Sequence, residues 1–294
     1  MKRANLLPSI FPRRLQEYAY KKYFEYCQLT WRWRPLPDFI VLGTQRSGTT
    51  SLHKYLNQHP QVASSMFSNE IHFFDGGRRK ADNFEKGEPW YRAHFPLKRN
   101  LGEGSKLFDS TPLYLVHPLV PGRIFGLLPK IQLIVVLRNP TERAISHYFM
   151  VKGKNREPLP MLEAFQEEEQ RLERAIKEQD YRSKSFIVHT YKTRGRYAEQ
   201  LERYLRYFPR QQILLLESGD FFRNPQQTLR RVFDFVGVDA GYEIPDLTPR
   251  NTGRHKGEVP RAARDYLNEY FYPFNQELYE LTGINFNEET ADRA

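Results

Sequence analysis

A short apolar run passes directly into a glycine-containing loop in Phe39-Ile40-Val41-Leu42-Gly43-Thr44-Gln45-Arg46-Ser47-Gly48-Thr49-Thr50. The first four residues are typical of a strand that is buried on both faces of a parallel sheet. Residues 49–57 carry apolar side chains at helical spacing, so strand, loop and helix follow one another. A glycine loop at a helix N-terminus presents backbone N–H groups to an anion. We therefore predict a phosphate-binding loop over residues 43–50.

The rest of the chain repeats this alternation of strands and helices. Apolar runs at 131–137 and 212–216 predict two more buried strands, and Pro140 stands where a helix can begin without losing a hydrogen bond. Further helices are expected at 141–150, 161–178, 195–208, 225–236 and 260–281. The fold class predicted is α/β: a single P-loop-like domain with a central parallel sheet flanked by helices on both faces.

Residues 1–37 are predicted to form an N-terminal helical extension, and residues 38–294 the catalytic domain. The segment 8–34 is basic and aromatic, with no apolar run long enough to span a membrane and no signal peptide. We interpret it as a helix packed across the domain, with an interfacial membrane helix as the alternative. Cys27 is the only cysteine and is read as an inert thiol. The expected location is the cytoplasm, with peripheral membrane contact through residues 1–37 as the alternative.

The loop differs from the loops that bind nucleoside triphosphates. Those place a lysine directly after the second glycine, where this chain has Thr49, and its basic side chain is instead Arg46. A triphosphate–magnesium site also needs an acidic residue at the end of a later strand, but Arg138 follows the strand that ends at Leu137. An anion cradle without these two features favours a donor with fewer phosphates and no metal.

Two segments resemble the donor-binding motifs of sulfotransferases that use 3′-phosphoadenosine 5′-phosphosulfate (PAPS). Residues 43–52 are similar to the loop that binds the 5′-phosphosulfate, and residues 137–148 to the motif that binds the 3′-phosphate. The resemblance implies PAPS as donor and adenosine 3′,5′-bisphosphate (PAP) as product, without a metal. It assigns donor binding to Gly43, Thr44, Gln45, Arg46, Ser47, Gly48, Thr49, Thr50, Arg138, Ser146 and Tyr197, and also to Thr252, Gly253 and Arg254 in a loop that closes over the donor.

The similarity is greater to the heparan sulfate N- and 3-O-sulfotransferases. Residues 69–75 resemble the segment that carries their catalytic base, which implies Glu70 as general base with His72 and Asp75 in support. Arg46 is expected to stabilise the leaving oxygen. One departure is Ser110, which stands where the 3-O members carry a lysine before a Thr-Pro or Ser-Pro pair. The acceptor is therefore left open.

The formal net charge of +10 favours an anionic partner but does not choose one. The expected acceptor is a glycan, a glycolipid or another hydroxylated metabolite, and no nucleic acid partner is expected. Candidates for a basic acceptor cleft are Lys98-Arg99, Arg78-Arg79-Lys80 and Arg182 with Lys184, with solvated surface charge as the alternative. A P-loop nucleotide kinase or NTPase and a non-enzymatic anionic-glycan-binding module are the alternative functions. Oligomeric state is not predicted.

Overall fold

The computed structural model describes residues 12–77, 81–250 and 257–287. Five parallel strands form one sheet in the order β2-β3-β1-β4-β5. Their bounds are β1 (Phe39–Gly43), β2 (Val62–Ser64), β3 (Lys106–Ser110), β4 (Gln132–Leu137) and β5 (Ile213–Glu217). Because β1 lies between β3 and β4, the loops after these three strands meet at one carboxyl edge, where ligands bind in open parallel sheets.

Twelve α-helices surround the sheet. Their bounds are α1 (Arg13–Leu29), α2 (Thr49–Leu56), α3 (Gly87–Arg92), α4 (Val120–Leu127), α5 (Pro140–Lys152), α6 (Met161–Gln166), α7 (Glu168–Lys177), α8 (Lys184–His189), α9 (Tyr197–Leu205), α10 (Ser218–Arg223), α11 (Pro225–Val236) and α12 (Arg261–Thr282), counted over the residues that the structure describes. Helix α5 begins at Pro140, and the side chain of Asn139 caps it by accepting a hydrogen bond from the backbone N–H of Glu142.

Apolar side chains fill the space on both faces of the sheet. Alternate residues of β1 point to opposite faces, so Ile40 packs into one cluster and Val41 into the other. The first cluster includes Leu201 of α9, and the second includes Leu52 of α2 and Leu229 of α11. All five of these aliphatic residues are almost fully buried. The predicted fold class, a parallel sheet with helices on both faces, is confirmed.

Most of the predicted elements are present, with small shifts at their ends. The expected single helix over 161–178 is divided into α6 and α7, which meet at Glu167. The strands β2 and β3 were not predicted. Strand β2 has only three residues, and β3 carries polar residues at both ends, so neither shows the long apolar run that marks β4.

Helix α1 contacts the rest of the molecule along one side only. Cys27 is its one buried residue, and burial raises the pKa of that thiol, which keeps it protonated. The rings of Phe24 and Phe67 meet edge to face with their centroids 5.1 Å apart. The predicted helix is present, but it packs against the domain only in part, since most of α1 is exposed. Within the described ranges, no helix combines the length and apolar character needed to cross a membrane. The proposed boundary at residue 37 remains a prediction.

Candidate active site

A cleft of about 810 Å³ opens at the carboxyl edge of the sheet, beside the ends of β1 and β4. The phosphate-loop residues that line it are Gln45, Arg46, Gly48, Thr49 and Thr50. The structure also brings Glu70, Arg138 and Ser146 to its walls. Side chains from three separate predicted segments thus share one cavity of the size that small-molecule ligands occupy.

Three other residues of the loop lie behind the cleft and hold its shape. The hydroxyls of Thr44 and Ser47 are hydrogen-bonded to each other, and Thr44 Oγ1 donates to the backbone oxygen of Val136 in β4 at 3.2 Å. A side chain at Gly43 would bring its Cβ within 3.0 Å of the Pro112 carbonyl oxygen. These contacts fix the loop against the two strands beside β1 and leave its cleft-facing groups available to a ligand.

Gly48 ends the loop in a conformation that disfavours other residues. Its φ is +100°, and a Cβ there would lie 2.8 Å from the ring of Phe222. The ring of Phe222 also lines the cleft, together with Ser218 at the start of α10. Neither residue was predicted from the sequence, because α10 follows β5 with no motif to mark it. The absence of a side chain at Gly48 lets this apolar ring reach the phosphate loop.

The two predicted donor motifs are joined directly. Arg46 Nε donates to Ser146 Oγ at 2.9 Å, and Arg138 Nη1 donates to the backbone oxygen of Arg46 at 3.0 Å. Burial lowers the pKa of Arg46, and the neighbouring positive charge of Arg138 lowers it further. Among the described residues, no carboxylate lies within ion-pair distance of Arg46, whereas Glu142 lies 3.8 Å from Arg138 Nη2. The two guanidinium groups therefore make the cleft strongly attractive to anions.

Tyr197 lies beneath the cleft and does not line it. It is almost completely buried, and its hydroxyl donates to the backbone oxygen of Arg138 at 2.7 Å. It therefore supports the end of β4, and its ring packs in the apolar cluster that its spacing in α9 indicated. A second buried support was not predicted: Arg194 Nη1 donates to Gln45 Oε1 at 2.8 Å.

Glu70, His72 and Asp75 form a continuous chain of side chains in the loop between β2 and α3. His72 Nδ1 lies 2.6 Å from Asp75 Oδ2, and His72 Nε2 lies 3.0 Å from Glu70 Oε2. Asp75 is fully buried, His72 is mostly buried, and Glu70 is 44% exposed where it reaches the cleft. The carboxylate nearest to a ligand is thus backed by a histidine and a second, buried carboxylate.

The electrostatics of this chain favour a charged histidine. Burial alone lowers the pKa of His72, but the hydrogen bonds with Asp75 and Glu70 outweigh it and raise the pKa to about 9. Burial likewise raises the pKa of Asp75, but the hydrogen bond and positive charge of His72, together with the backbone N–H of Gly77, more than reverse this, so the pKa falls below its usual value. At neutral pH, Glu70 and Asp75 are therefore carboxylates, and His72 between them is a positively charged imidazolium.

A further buried carboxylate lies under this loop. Thr111 Oγ1 accepts a hydrogen bond from the backbone N–H of Ile71 at 3.2 Å and donates to Asp109 Oδ1 at 2.9 Å. Tyr114 donates to the other carboxylate oxygen at 2.9 Å. Burial raises the pKa of Asp109 to about 6, although these hydrogen bonds oppose the rise. Sequence reasoning missed this support, since Asp109 belongs to the strand that was not predicted.

The backbone at His72 has φ +55°, a left-handed conformation that is uncommon for residues other than glycine. Arg46 shares this property, with φ +76°. Strained residues of this kind persist where the surroundings hold them, and they concentrate in functional sites. Two of the predicted catalytic residues are therefore held by their surroundings in positions that the local chain does not favour.

Several predicted basic residues lie away from this cleft. Lys98 and Arg99 line a different groove, and Arg182 and Lys184 are not among the residues that line the cleft. The cleft is bordered instead by Lys154 and Arg156, which follow α5 and are exposed. Those earlier candidates therefore do not form the wall of this cleft. The positions 78–80 and 252–254, including Thr252, Gly253 and Arg254, lie outside the described residues.

The profile of the family described as "Sulfotransferase domain" matches residues 36–252, which is most of the chain. The chain belongs to the sulfotransferase family. Heparan sulfate glucosamine 3-O-sulfotransferase 6 of Mus musculus and of Homo sapiens are each 31% identical to this sulfotransferase over 275 residues, covering 86% of this chain and 74% of theirs. Heparan sulfate glucosamine 3-O-sulfotransferase 5 of Mus musculus is 29% identical over 273 residues, with the same coverage.

A solved structure supports the same assignment. The crystal structure of a sulfotransferase from Alicyclobacillus acidocaldarius superposes with a TM-score of 0.68 at 26% identity, covering 85% of this sulfotransferase and 97% of that chain. The resemblance to heparan sulfate sulfotransferases and the P-loop-like fold are thereby confirmed. Where the structure describes the chain, it has no group of three or more His, Cys, Asp or Glu residues arranged to hold a metal ion.

Proposed function

We propose that this sulfotransferase moves the sulfuryl group of PAPS to a hydroxyl, or an amine, of a carbohydrate acceptor. The observation that carries the proposal is the meeting of Arg46, Arg138, Ser146 and Glu70 in one cleft. The first three suit a donor with phosphates at two positions, and the fourth supplies a base on the acceptor side. The names of the relatives support a glycan acceptor.

On the donor side, each group has a separate task in the proposal. Backbone N–H groups of the loop and the hydroxyls of Thr49 and Thr50 would hold the 5′-phosphate at the start of α2. Arg138 and Ser146 would hold the 3′-phosphate. Arg46 would neutralise the oxygen that departs with the phosphate, where negative charge grows during transfer. The Ser146 hydroxyl would thus support both ends of the donor through its hydrogen bond with Arg46.

On the acceptor side, Glu70 would remove the proton of the attacking hydroxyl. The new bond joins the acceptor oxygen to sulfur, the bond between sulfur and the phosphate oxygen breaks, and PAP leaves with that electron pair. The imidazolium of His72 would hold Glu70 in place and offset the negative charge of the two carboxylates beside it. Asp75 would fix the ring through Nδ1. The proton ends on Glu70 and passes to solvent through its exposed side.

The acceptor itself is proposed to be acidic. Lys154 and Arg156 are exposed at the rim of the cleft, and no ion pair joins either of them to another described residue. Cations on a rim attract an acidic chain over a distance set by ionic strength. This basic rim could meet the carboxylates or sulfates of a glycan beside the one that reacts. We propose the same cytoplasmic setting that the sequence suggested, in which a soluble acidic oligosaccharide or glycolipid headgroup is the acceptor.

The test is a binding measurement followed by an acceptor screen. Calorimetry should show PAP binding that is unchanged by EDTA, with much weaker binding of ATP in the presence of Mg²⁺. Labelled PAPS is then offered with unsulfated and N-sulfated glucuronic acid–glucosamine oligosaccharides, glycolipids and simple alcohols. Label in an oligosaccharide supports the full proposal. Preferential Mg²⁺–ATP binding would instead identify a nucleotide kinase or NTPase, and PAP binding with no labelled carbohydrate would remove the acceptor proposal alone.

A further inference from the structure

A second groove, of about 840 Å³, shares no lining residue with the catalytic cleft. It is formed by the end of α1, the turn at 31–33 and the segment 97–99. Pro35 precedes β1, and residues 97–99 precede β3, so the groove belongs to the amino edge of the sheet. The catalytic cleft is at the opposite edge. This groove takes no part in the reaction proposed above.

A buried cation forms the floor of this groove. Arg34 is only 1% exposed, with Nε donating to Thr30 Oγ1 at 3.1 Å and Nη1 donating to the Phe95 backbone oxygen at 2.6 Å. Its third nitrogen, Nη2, is buried without a hydrogen bond of standard geometry, and the Tyr23 hydroxyl and the Cys27 thiol lie beside the guanidinium. Arg34 therefore places a fixed positive charge beneath the floor of the groove.

The neighbours of Arg34 do not supply a negative charge. Burial raises the pKa of both the Tyr23 hydroxyl and the Cys27 thiol, which lie beside its guanidinium, so both stay neutral at physiological pH. No carboxylate of the described residues lies within ion-pair distance of Arg34. Arg34 is one of the residues that line the groove.

The walls of the groove add more positive charge. Arg32, Lys98 and Arg99 are exposed and form no ion pair with the other residues that the structure describes. Arg92 also lines the groove, and it is paired with Glu88. None of the residues that line the groove is acidic. The complementary ligand is therefore an anion with several oxygen acceptors, such as a phosphate or sulfate group.

Exposed apolar side chains beside the groove indicate which kind of molecule carries that anion. Leu29, at the end of α1, is 83% exposed, and Trp33 and Tyr26 are 67% and 45% exposed. Trp33 and Tyr26 line the groove themselves. An acidic oligosaccharide could use the two aromatic rings but has no use for Leu29. Tryptophan, tyrosine and leucine next to basic residues are typical of a surface that enters the boundary between lipid headgroups and acyl chains.

We propose that this groove binds the phosphate of a phospholipid headgroup and docks the protein on an anionic membrane surface. Arg32, Lys98 and Arg99 bind the phosphate and its anionic neighbours above the buried charge of Arg34, while Leu29 and Trp33 enter the lipid. Membrane contact at the amino edge leaves the catalytic cleft facing away from the lipid, open to donor and acceptor. The proposal stands on this groove alone and does not depend on the identity of the acceptor.

The test is co-sedimentation of the full chain with vesicles of phosphatidylcholine alone and of phosphatidylcholine mixed with phosphatidylglycerol. Binding is expected only to the mixed vesicles. Because Arg34 also holds Thr30 and Phe95, its substitution endangers folding, and the exposed cations are changed instead. The triple variant Arg32→Gln, Lys98→Gln, Arg99→Gln should reduce the partition coefficient by about 100-fold, since each basic residue near an anionic surface contributes separately.

Two further variants separate charge from lipid insertion. The pair Leu29→Ser and Trp33→Ala should reduce binding at least tenfold with all the cations in place. The control removes three exposed charges outside the groove, through Lys54→Gln, Arg206→Gln and Arg231→Gln, and should change the partition coefficient less than threefold. All variants are first checked for the wild-type melting temperature and PAP affinity.

Four results would overturn the proposal. The first is equal binding to phosphatidylcholine alone, and the second is an equal loss in the control variant. The third is displacement from vesicles by inorganic phosphate at the concentration of lipid phosphate, which would make the groove a free-phosphate site. The fourth is unaltered vesicle binding in the Leu29 and Trp33 variant together with displacement by heparin, which would make it a site for an acidic glycan.

Discussion

Arg46 Nε donates a hydrogen bond to Ser146 Oγ at 2.9 Å, although the two residues are 100 positions apart in the chain. Arg46 follows β1 and Ser146 lies on α5 after β4, and these two strands are neighbours in the sheet. The phosphate loop and the predicted 3′-phosphate motif are therefore one structural unit. A ligand with phosphates at two positions can contact both halves at once.

This unit should recognise the 3′-phosphate mainly through Arg138. We expect Arg138→Gln to weaken PAP binding by about 10- to 100-fold, the usual range for a hydrogen bond to a charged group. Binding of adenosine 5′-monophosphate should change little, because its phosphate would occupy the loop. Calorimetry with both nucleotides measures the two effects, and Arg231→Gln on the exposed side of α11 is the charge-matched control. Equal loss for both nucleotides would show that Arg138 acts on the loop and not on the 3′-phosphate.

Glu70 should matter for turnover and not for the donor. The substitution Glu70→Gln keeps the size and the hydrogen bond to His72 but removes the base, so we expect kcat to fall by about 100-fold or more. PAP affinity should stay within a factor of about two. Glu173→Gln, on the exposed face of α7, is the control for losing one carboxylate. Near-normal turnover of Glu70→Gln, measured with labelled PAPS, would remove Glu70 from the reaction.

The raised pKa of His72 predicts a pH dependence of stability. The pKa is about 9 in the folded chain and near 6.5 when unfolded, so the folded state holds the proton more tightly. This contribution is complete below about pH 6.5 and is lost as the pH rises through 9. It amounts to at most about 3 kcal/mol.

Chemical denaturation between pH 7 and pH 9 checks this effect. The free energy of unfolding should fall with pH in the wild type, and the fall should be smaller in His72→Gln, which has no proton to lose. Comparing the two proteins at each pH cancels the titration of all other groups. If the free energy of unfolding changed with pH in the same way in both proteins, then His72 would be neutral in the folded protein. The charges assigned to Glu70, His72 and Asp75 would then be wrong.

The sequence was sufficient for the central part of the fold and site. Strands β1, β4 and β5 carry continuous apolar runs because both of their faces are buried, so pattern alone located them. The phosphate loop and Arg138 follow two of these strands directly. Since parallel neighbours end at the same edge, their convergence followed from the fold class.

The buried residues that hold the site in place could not be predicted from the sequence in the same way. Asp109 is a buried carboxylate whose polarity hides the strand β3, and its partners Tyr91 and Tyr114 come from separate elements. The residues of such a hydrogen-bond network do not recur at a regular interval in the sequence, so no sequence pattern reveals them. The same is true of Arg194, which reaches Gln45 from 149 positions away. Pairing of distant side chains becomes visible only when the chain is folded.

The basic rim of the cleft should act on the acceptor. We expect the double variant Lys154→Gln and Arg156→Gln to raise the acceptor KM several-fold at low salt, with kcat and PAP affinity nearly unchanged. The difference from wild type should shrink as salt increases, because exposed charges are screened. Lys184→Gln, outside the cleft, serves as the control. A KM that does not respond to the double variant or to salt would point to an uncharged acceptor.

Thr111 should position the loop that carries Glu70. Its hydroxyl accepts a hydrogen bond from the Ile71 N–H and donates one to Asp109. Thr111 itself does not line the cleft. Thr111→Val keeps the shape but leaves the buried Ile71 N–H without a partner and removes one of the hydrogen bonds to the buried Asp109 carboxylate, which costs about 1–3 kcal/mol of stability. We expect kcat to fall at least tenfold with PAP affinity unchanged, because the phosphate loop does not rest on Thr111.

The conservative variant separates positioning from a general loss of stability. Thr111→Ser restores the hydroxyl but loses the methyl group, so it should recover most of kcat even if its melting temperature stays low. The two variants are compared in kcat, PAP affinity and melting temperature under the same conditions. If kcat instead follows melting temperature across wild type, serine and valine, then Thr111 only stabilises the fold. Recovery of kcat by Thr111→Ser, without recovery of the melting temperature, would support a role for the Thr111 hydroxyl in positioning the loop that carries Glu70.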